Sequence, residues 1–177
     1  MRHRVLIAVL LGIVLGSPAL AWATTYAIDK SHTTAAFKVR HLFSKVQGTF
    51  NEFEGSFDFV PGEPDEWKAN ATIQVASIDT AVEARDKHLR SKDFFDVEQH
   101  PTITFTSTKV SDATSSRAKL HGLLTVHGVQ KPVVLDVAIH GEGKDPWGNV
   151  RSGFTATTTI DRKAFGLTWN EALETGQ

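Results

Sequence analysis

Through most of this chain apolar and polar residues alternate one for one, and a single stretch departs from that rule. The clearest run is 68–76, with Ala69, Ala71, Ile73 and Val75 on one side and Lys68, Asn70, Thr72 and Gln74 on the other. Successive side chains of extended backbone point to opposite faces, so this pattern describes a strand with one face buried. The alternation recurs at 26–29, 34–41, 102–110, 118–126, 132–140 and 149–160. A long extended stretch at 46–60 is expected to kink near Gly48 and Gly55, with Phe53, Phe57 and Phe59 on one side. Turns are expected at Pro61-Gly62-Glu63-Pro64, at the hairpin signal His127-Gly128-Val129-Gln130, in the Gly-rich loop 141–148 around Trp147, and at 161–166. Seven or eight antiparallel strands in meanders and hairpins then close as an up-and-down barrel or pack as a two-sheet sandwich.

The exception is residues 77–96, SIDTAVEARDKHLRSKDFFD, which carries the one helical signal. Thr80 and Glu83 have the spacing of a capping box. Glu83 with Lys87, and Asp86 with Arg90, are acid-before-base pairs that support an exposed helical face. Val82, Arg85 and Leu89 share the opposite side with Ala81, Ala84 and His88. The stretch ends in Asp93-Phe94-Phe95-Asp96, whose two phenylalanines require burial. A helix of this kind inside a β protein is either a plug or a lid.

Small residues at inward positions, Gly55, Ala69, Ala71, Gly122, Ala156 and Thr158, admit two explanations. They leave a ligand cavity, or they answer the taper of a tightly curved, solid barrel.

Residues 1–23 read as a secretory signal peptide: Arg2 and Arg4 precede an apolar run, Gly16 to Pro18 break it, and Ala21-Trp22-Ala23 suits a peptidase cutting after Ala23. The run is too short for a membrane span. Residues 24–177 are then one domain, expected in the periplasm. Without Arg2 and Arg4 the 19 basic residues become 17 against 20 acidic ones, a net charge of −3, which argues against nucleic acid. The chain has no cysteine, which excludes disulfides, thiol catalysis and thiolate metal sites.

Catalytic patterns are sparse. Neither His-x-His nor His-Glu-x-x-His occurs, and no metal is expected; Gly-x-Ser-x-Gly is also missing. Ser31 and His32 are adjacent and would point apart in a strand. Asp93 and Asp96 read more simply as turn-capping residues than as an acid–base pair. Arg85, Asp86 and His88 form the sharper cluster, either an ion network pinning the helix or a polar collar at a cavity mouth.

Other segments, taken in order, carry a resemblance. They are Asp29-Lys30-Ser31-His32, Phe37-Lys38-Val39-Arg40-His41, Ser77-Ile78-Asp79-Thr80 and Arg85-Asp86-Lys87-His88-Leu89. Asp93-Phe94-Phe95-Asp96, Pro101-Thr102-Ile103-Thr104-Phe105 and 124–133 (LTVHGVQKPV) follow, then Gly153-Phe154, Asp161-Arg162 and Phe165-Gly166. With these the chain resembles the YceI-like, polyisoprenoid-binding family of secreted bacterial proteins. The resemblance implies an all-β fold with one short helix: a lipocalin-like extended antiparallel barrel whose interior holds a long isoprenoid chain. It implies no enzymatic activity and no cofactor. It also implies one more strand after the 161–166 turn, whereas only 167–177 follow it and 170–177 lack strand alternation. The expectation is therefore a truncated chain or a barrel without its closing C-terminal strand.

On strand alternation, Phe37, Val39, Phe57, Ile73, Val75, Ile103, Phe105, Leu124, Val126, Leu135, Val137 and Phe154 are the candidates for the apolar wall. Arg85 and His88 are the candidates for the polar end, with Leu89, Phe94 and Phe95 as the apolar cover. The expected partner is a polyisoprenoid, an isoprenoid quinone or a similar long-chain amphiphile, with transient membrane or membrane-protein contact and a homodimer left open. Two other readings stay open: an interaction module with an incidental cavity, and a lipid-modifying enzyme using Arg85, Asp86 and His88.

Overall fold

The computed structural model describes residues 24–41, 44–60 and 62–169; the expected signal peptide and residues 170–177 lie outside them. The strands are β1 (Thr24–Ala27), β2 (Ala35–His41), β3 (Ser44–Phe50), β4 (Phe53–Phe59), β5 (Lys68–Gln74) and β6 (Ile78–Asp79), followed by helix α1 (Glu83–Arg90). Then come β7 (Thr102–Ser111), β8 (Arg117–Val126), β9 (Val129–Lys144) and β10 (Val150–Thr157). Seven strands form one antiparallel sheet in the order β1-β4-β5-β7-β8-β9-β10, and β2-β3-β6 form a small second sheet. The large sheet curls into a nearly closed barrel whose seam, between edge strands β1 and β10, is not sealed by a ladder.

Alternation sets which side faces in. Ala118, Leu120, Gly122 and Val126 of β8 are buried, while Lys119 and Leu123 between them are exposed. Register carries the inner face from strand to strand: Gly55 lies opposite Ala71, Ala71 opposite Phe105, and Phe105 opposite Leu124.

Three differences from the sequence reading have local causes. The 46–60 stretch is broken at Asn51-Glu52, not at a glycine, because the chain there changes sheets; Asn51 N–H donates to Ser77 O (3.1 Å) and Gln74 N–H to Glu52 O (2.9 Å). Strand β9 runs on through Gly141, Glu142, Gly143 and Lys144, where a loop was expected. Gly141 takes φ 128°, open to glycine, beside a register shift at Gly153/Phe154, so the ladder bends instead of ending. The helix has eight residues, and Thr80 does not cap it through a capping box: Val82 stands at the N-cap without a side-chain bond. The side chain of Asp86, expected to pair outward with Arg90, is instead buried and accepts hydrogen bonds from Thr80 N–H (2.9 Å) and Thr80 Oγ1–H (2.5 Å).

The interior has two closed ends. At one, Phe50, Val75, Ile78, Ile103, Val126, Phe165 and Leu167 pack beneath Phe37, Leu89 and Phe95. At the other, Phe59, Val60, Trp67 and Ala118 pack with Tyr26, Phe57 and Phe154. Phe105, Leu120 and Val137 lie between, bordered by Ala69, Leu124, Val133 and Leu135.

Candidate ligand-binding interior and its cover

The small residues do not all leave space. A side chain on Gly122 would meet the Phe105 ring (2.4 Å), and one on Gly55 would meet the backbone of β5 at Asn70 O (2.2 Å). Ala156 and Thr158 are exposed. Some larger residues are not fully covered: Leu124, Val133 and Leu135, on the same faces as buried Leu120 and Val137, are only half-buried. Accessible apolar surface on an inward face is area that a bound apolar group would remove from water.

Of the wall candidates, Phe105, Leu124, Leu135 and Val137 line this middle section, and Ile73 continues it toward the covered end. Phe57 and Phe154 belong to the aromatic stopper at the other end, with centroids 4.7 Å apart, and Phe57 lies 6.1 Å from Trp67. Trp67 donates Nε1–H to Val60 O (2.7 Å), which satisfies the indole where it is buried. Val75, Ile103 and Val126 are buried under the cover. Phe37, on the small sheet, packs on Phe50 at 5.4 Å, and Val39, farther along the same strand, is 40% exposed.

The cover is held from both sides. Arg85 donates from Nε to Thr80 Oγ1 (2.7 Å) and from Nη2 to Thr80 O (2.8 Å), and Arg90 donates to Ala76 O (2.8 Å) and Ile78 O (2.7 Å). His88 contacts Asp93 Oδ2 through Nε2 (3.2 Å) and meets the rings of Phe94 (5.1 Å) and Trp169 (4.6 Å) edge-on. Phe95 turns inward onto Phe50. Arg85 and Asp86 thus both commit their polar atoms to Thr80, and His88 to Asp93. Trp169, which completes the cover, gave no signal in the sequence because it follows the last strand and lies outside any periodic run.

The unsealed seam is the one expected for a barrel without its closing C-terminal strand, but the side chains that span it were not expected. Side chains from the bent β9–β10 hairpin reach across it: Glu142 accepts from Tyr26 Oη–H, and Arg151, which holds Asp145 Oδ2 (2.8 Å) within the hairpin, donates to Asp29 Oδ2 (2.6 Å). Hydrogen bonds from the His32 ring and Ser31 hold Asp29 well below the usual carboxylate range. Asp145 is lowered to about 2, first by the Asn149 side chain and then by Arg151. Tyr26 is pushed up to about 12, first by burial and then by its bond to the Glu142 carboxylate.

These shifts set a pH window. The carboxylates ionise more readily folded than unfolded, so their contribution is complete above an unfolded value of about 4 and fades as pH falls through about 2. Tyr26 has the opposite sense: its contribution is complete below about 10 and is lost as pH rises through about 12. Melting temperature is therefore expected to fall between pH 4 and pH 2, and less steeply in an Asp29→Asn/Asp145→Asn double variant. Parallel curves for the two proteins would remove the seam carboxylates from the acid response.

A nearly closed antiparallel barrel with an incompletely covered apolar inner face defines a binding protein. The chain belongs to the YceI-like domain family, whose model matches residues 26–177. It is 46% identical over 165 residues to a UPF0312 protein of Ectopseudomonas mendocina, covering 90% of this chain and 86% of that one. Among solved structures, the Campylobacter jejuni YCEI protein is 36% identical with a TM-score of 0.68, over 85% of this chain and 90% of that one. A polyisoprenoid binding domain from Saccharophagus degradans shares the fold at 12% identity and a TM-score of 0.50, over 67% of this chain and 68% of that one.

Proposed function

We propose that the chain is an exported, periplasmic carrier that holds the tail of a polyisoprenoid, isoprenoid quinone or similar long-chain amphiphile along the inner face of its barrel. The observation that carries this reading is the accessible apolar surface at inward Leu124, Val133 and Leu135, between two closed ends. The ligand class is supported by the polyisoprenoid binding named for the Saccharophagus degradans domain, and export by the leader pattern of residues 1–23. Affinity would come from burial, at about 25 cal/mol per Å² of apolar surface removed from water, less the cost of ordering the chain. Nothing is consumed: the barrel replaces the bilayer as solvent for the tail.

The test is solvent extraction and mass spectrometry of protein recovered from the periplasmic fraction. A prenyl lipid is expected with wild type, and several-fold less with Leu135→Trp, whose indole would fill the middle section while the melting temperature stays close to wild type. Equal lipid yields from the two proteins, or repeated recovery of empty wild type, would sink the reading. Recovery of the protein only from the cytoplasmic fraction would refute export.

A further inference from the structure

Trp147, at the tip of the β9–β10 hairpin, is 82% exposed. A single exposed apolar residue is ordinary on a protein surface; the turn that presents this one is not loose. The Asp145 side chain, only 8% exposed, accepts from Trp147 N–H (3.0 Å), Asn149 N–H (2.9 Å), Asn149 Nδ2 (3.0 Å) and Arg151 Nε (2.8 Å). Asp145 N–H bonds to Asn149 O and Gly148 N–H to Asp145 O, closing the turn. The backbone that carries the exposed indole is thus fixed by a ring of hydrogen bonds.

Charge on the hairpin is sorted to match. Near the tip, Glu142 accepts from Tyr26 of β1, and Asp145 accepts from Arg151, which also donates to Asp29. Lys144, exposed at the end of β9 opposite Val150, has no carboxylate partner among the described residues. Val150, 46% exposed, adds apolar surface on the other arm. An exposed indole and an ammonium in the same hairpin tip suit the boundary of a bilayer, where tryptophan is enriched and anionic headgroups attract lysine. The hairpin that carries them crosses the seam of the barrel.

We propose that the β9–β10 hairpin docks the protein on a lipid bilayer, with Trp147 entering the headgroup boundary, Lys144 against anionic headgroups, and the seam turned toward the membrane. The proposal rests on the lipid-carrier reading for its purpose, since a seam facing the bilayer gives a tail a route that avoids water.

Flotation of the purified protein with phosphatidylethanolamine–phosphatidylglycerol vesicles tests it. Wild type is expected to float, and Trp147→Ala to bind about tenfold more weakly, the loss of one buried aromatic side chain. Trp147→Tyr should recover part of the binding, and Lys144→Glu should weaken it on these vesicles but not on pure phosphatidylcholine. Bromine-labelled acyl chains should quench emission of wild type and spare that of Trp147→Tyr. Failure of wild type to float, or equal flotation of Trp147→Ala, overturns the proposal. So does wild-type self-association that Trp147→Ala abolishes without any vesicle binding, which would assign the tip to a second copy. Lipid extracted from a protein indifferent to vesicles would overturn docking and leave the carrier reading. Trp147-dependent flotation of a protein that is always empty would do the reverse.

Discussion

Replacing Asp86 by alanine is expected to lower the unfolding free energy by roughly 3 kcal/mol, because it removes two hydrogen bonds to a buried charged acceptor and strands their donors. The carboxylate receives both the backbone N–H and the hydroxyl of Thr80, and Thr80 is itself buried and accepts from Arg85. Removing Asp86 leaves the Thr80 N–H without its acceptor and frees the loop at Ala81, a non-glycine residue held at φ 61°. In a domain of this size the loss corresponds to a fall in melting temperature of roughly 10 °C. Asp86→Asn, which keeps an acceptor oxygen but no charge, should recover part of the loss. Urea unfolding of the three proteins measures it; an alanine variant as stable as wild type would mean the cover is held by packing alone. Lipid occupancy should fall along with stability, since this loop anchors the start of the cover.

The second large effect is expected from a single methyl group. Gly55→Ala would place its Cβ 2.2 Å from Asn70 O and 2.9 Å from both Ala71 Cα and Ile28 Cδ1. Two of these are backbone atoms of β5, directly across the ladder, where Gly55 pairs with Ala71. A side chain can turn aside, but a strand paired on both edges cannot move without breaking one ladder. The expected cost is roughly 3 kcal/mol, at the upper end for overpacking. Because Gly55 O also accepts from Ile28 N–H at 3.0 Å, β1 should loosen first. Faster amide exchange at Ala27 and Ile28, beyond the global loss, would report it. A variant within about 0.5 kcal/mol of wild type, the range of a neutral surface change, would show that the strands do not approach so closely.

The two variants also separate the parts of the molecule. Gly55→Ala acts on the wall near the seam, and Asp86→Ala acts on the cover. If the barrel interior is the lipid site, Asp86→Ala should lose ligand by leaving one end open even where the sheet remains intact.

Much of this was legible in the chain. The alternation of Ala69, Ala71, Ile73 and Val75 identified a one-sided strand because side-chain direction in extended backbone has a fixed period. The same rule put Phe105, Leu124, Leu135 and Val137 on one side of their strands, where Phe105 and Val137 are buried with Leu124 and Leu135 packed against them, and no pairing was needed to see the alternation. The pattern also showed that only one stretch could be a helix. It could not show where that helix begins, since the capping signal of Thr80 and Glu83 competes with a longer reach from Asp86 that exists only once the loop folds back. Nor could it show that Gly122 makes room for a Phe105 ring and Gly55 for a backbone, because a glycine in the sequence does not say what approaches it.

What the sequence by itself determined, then, is the alphabet of the fold: strands, their inner faces and a single interposed helix, all governed by contacts within a few residues. What only the tertiary structure decided lies between partners far apart in the chain: Tyr26 with Glu142, Asp29 with Arg151, and His88 with Trp169. Such pairings depend on how the sheet curls and where the hairpin bends at Gly141. Curvature is a sum over the whole sheet, so no local pattern encodes it.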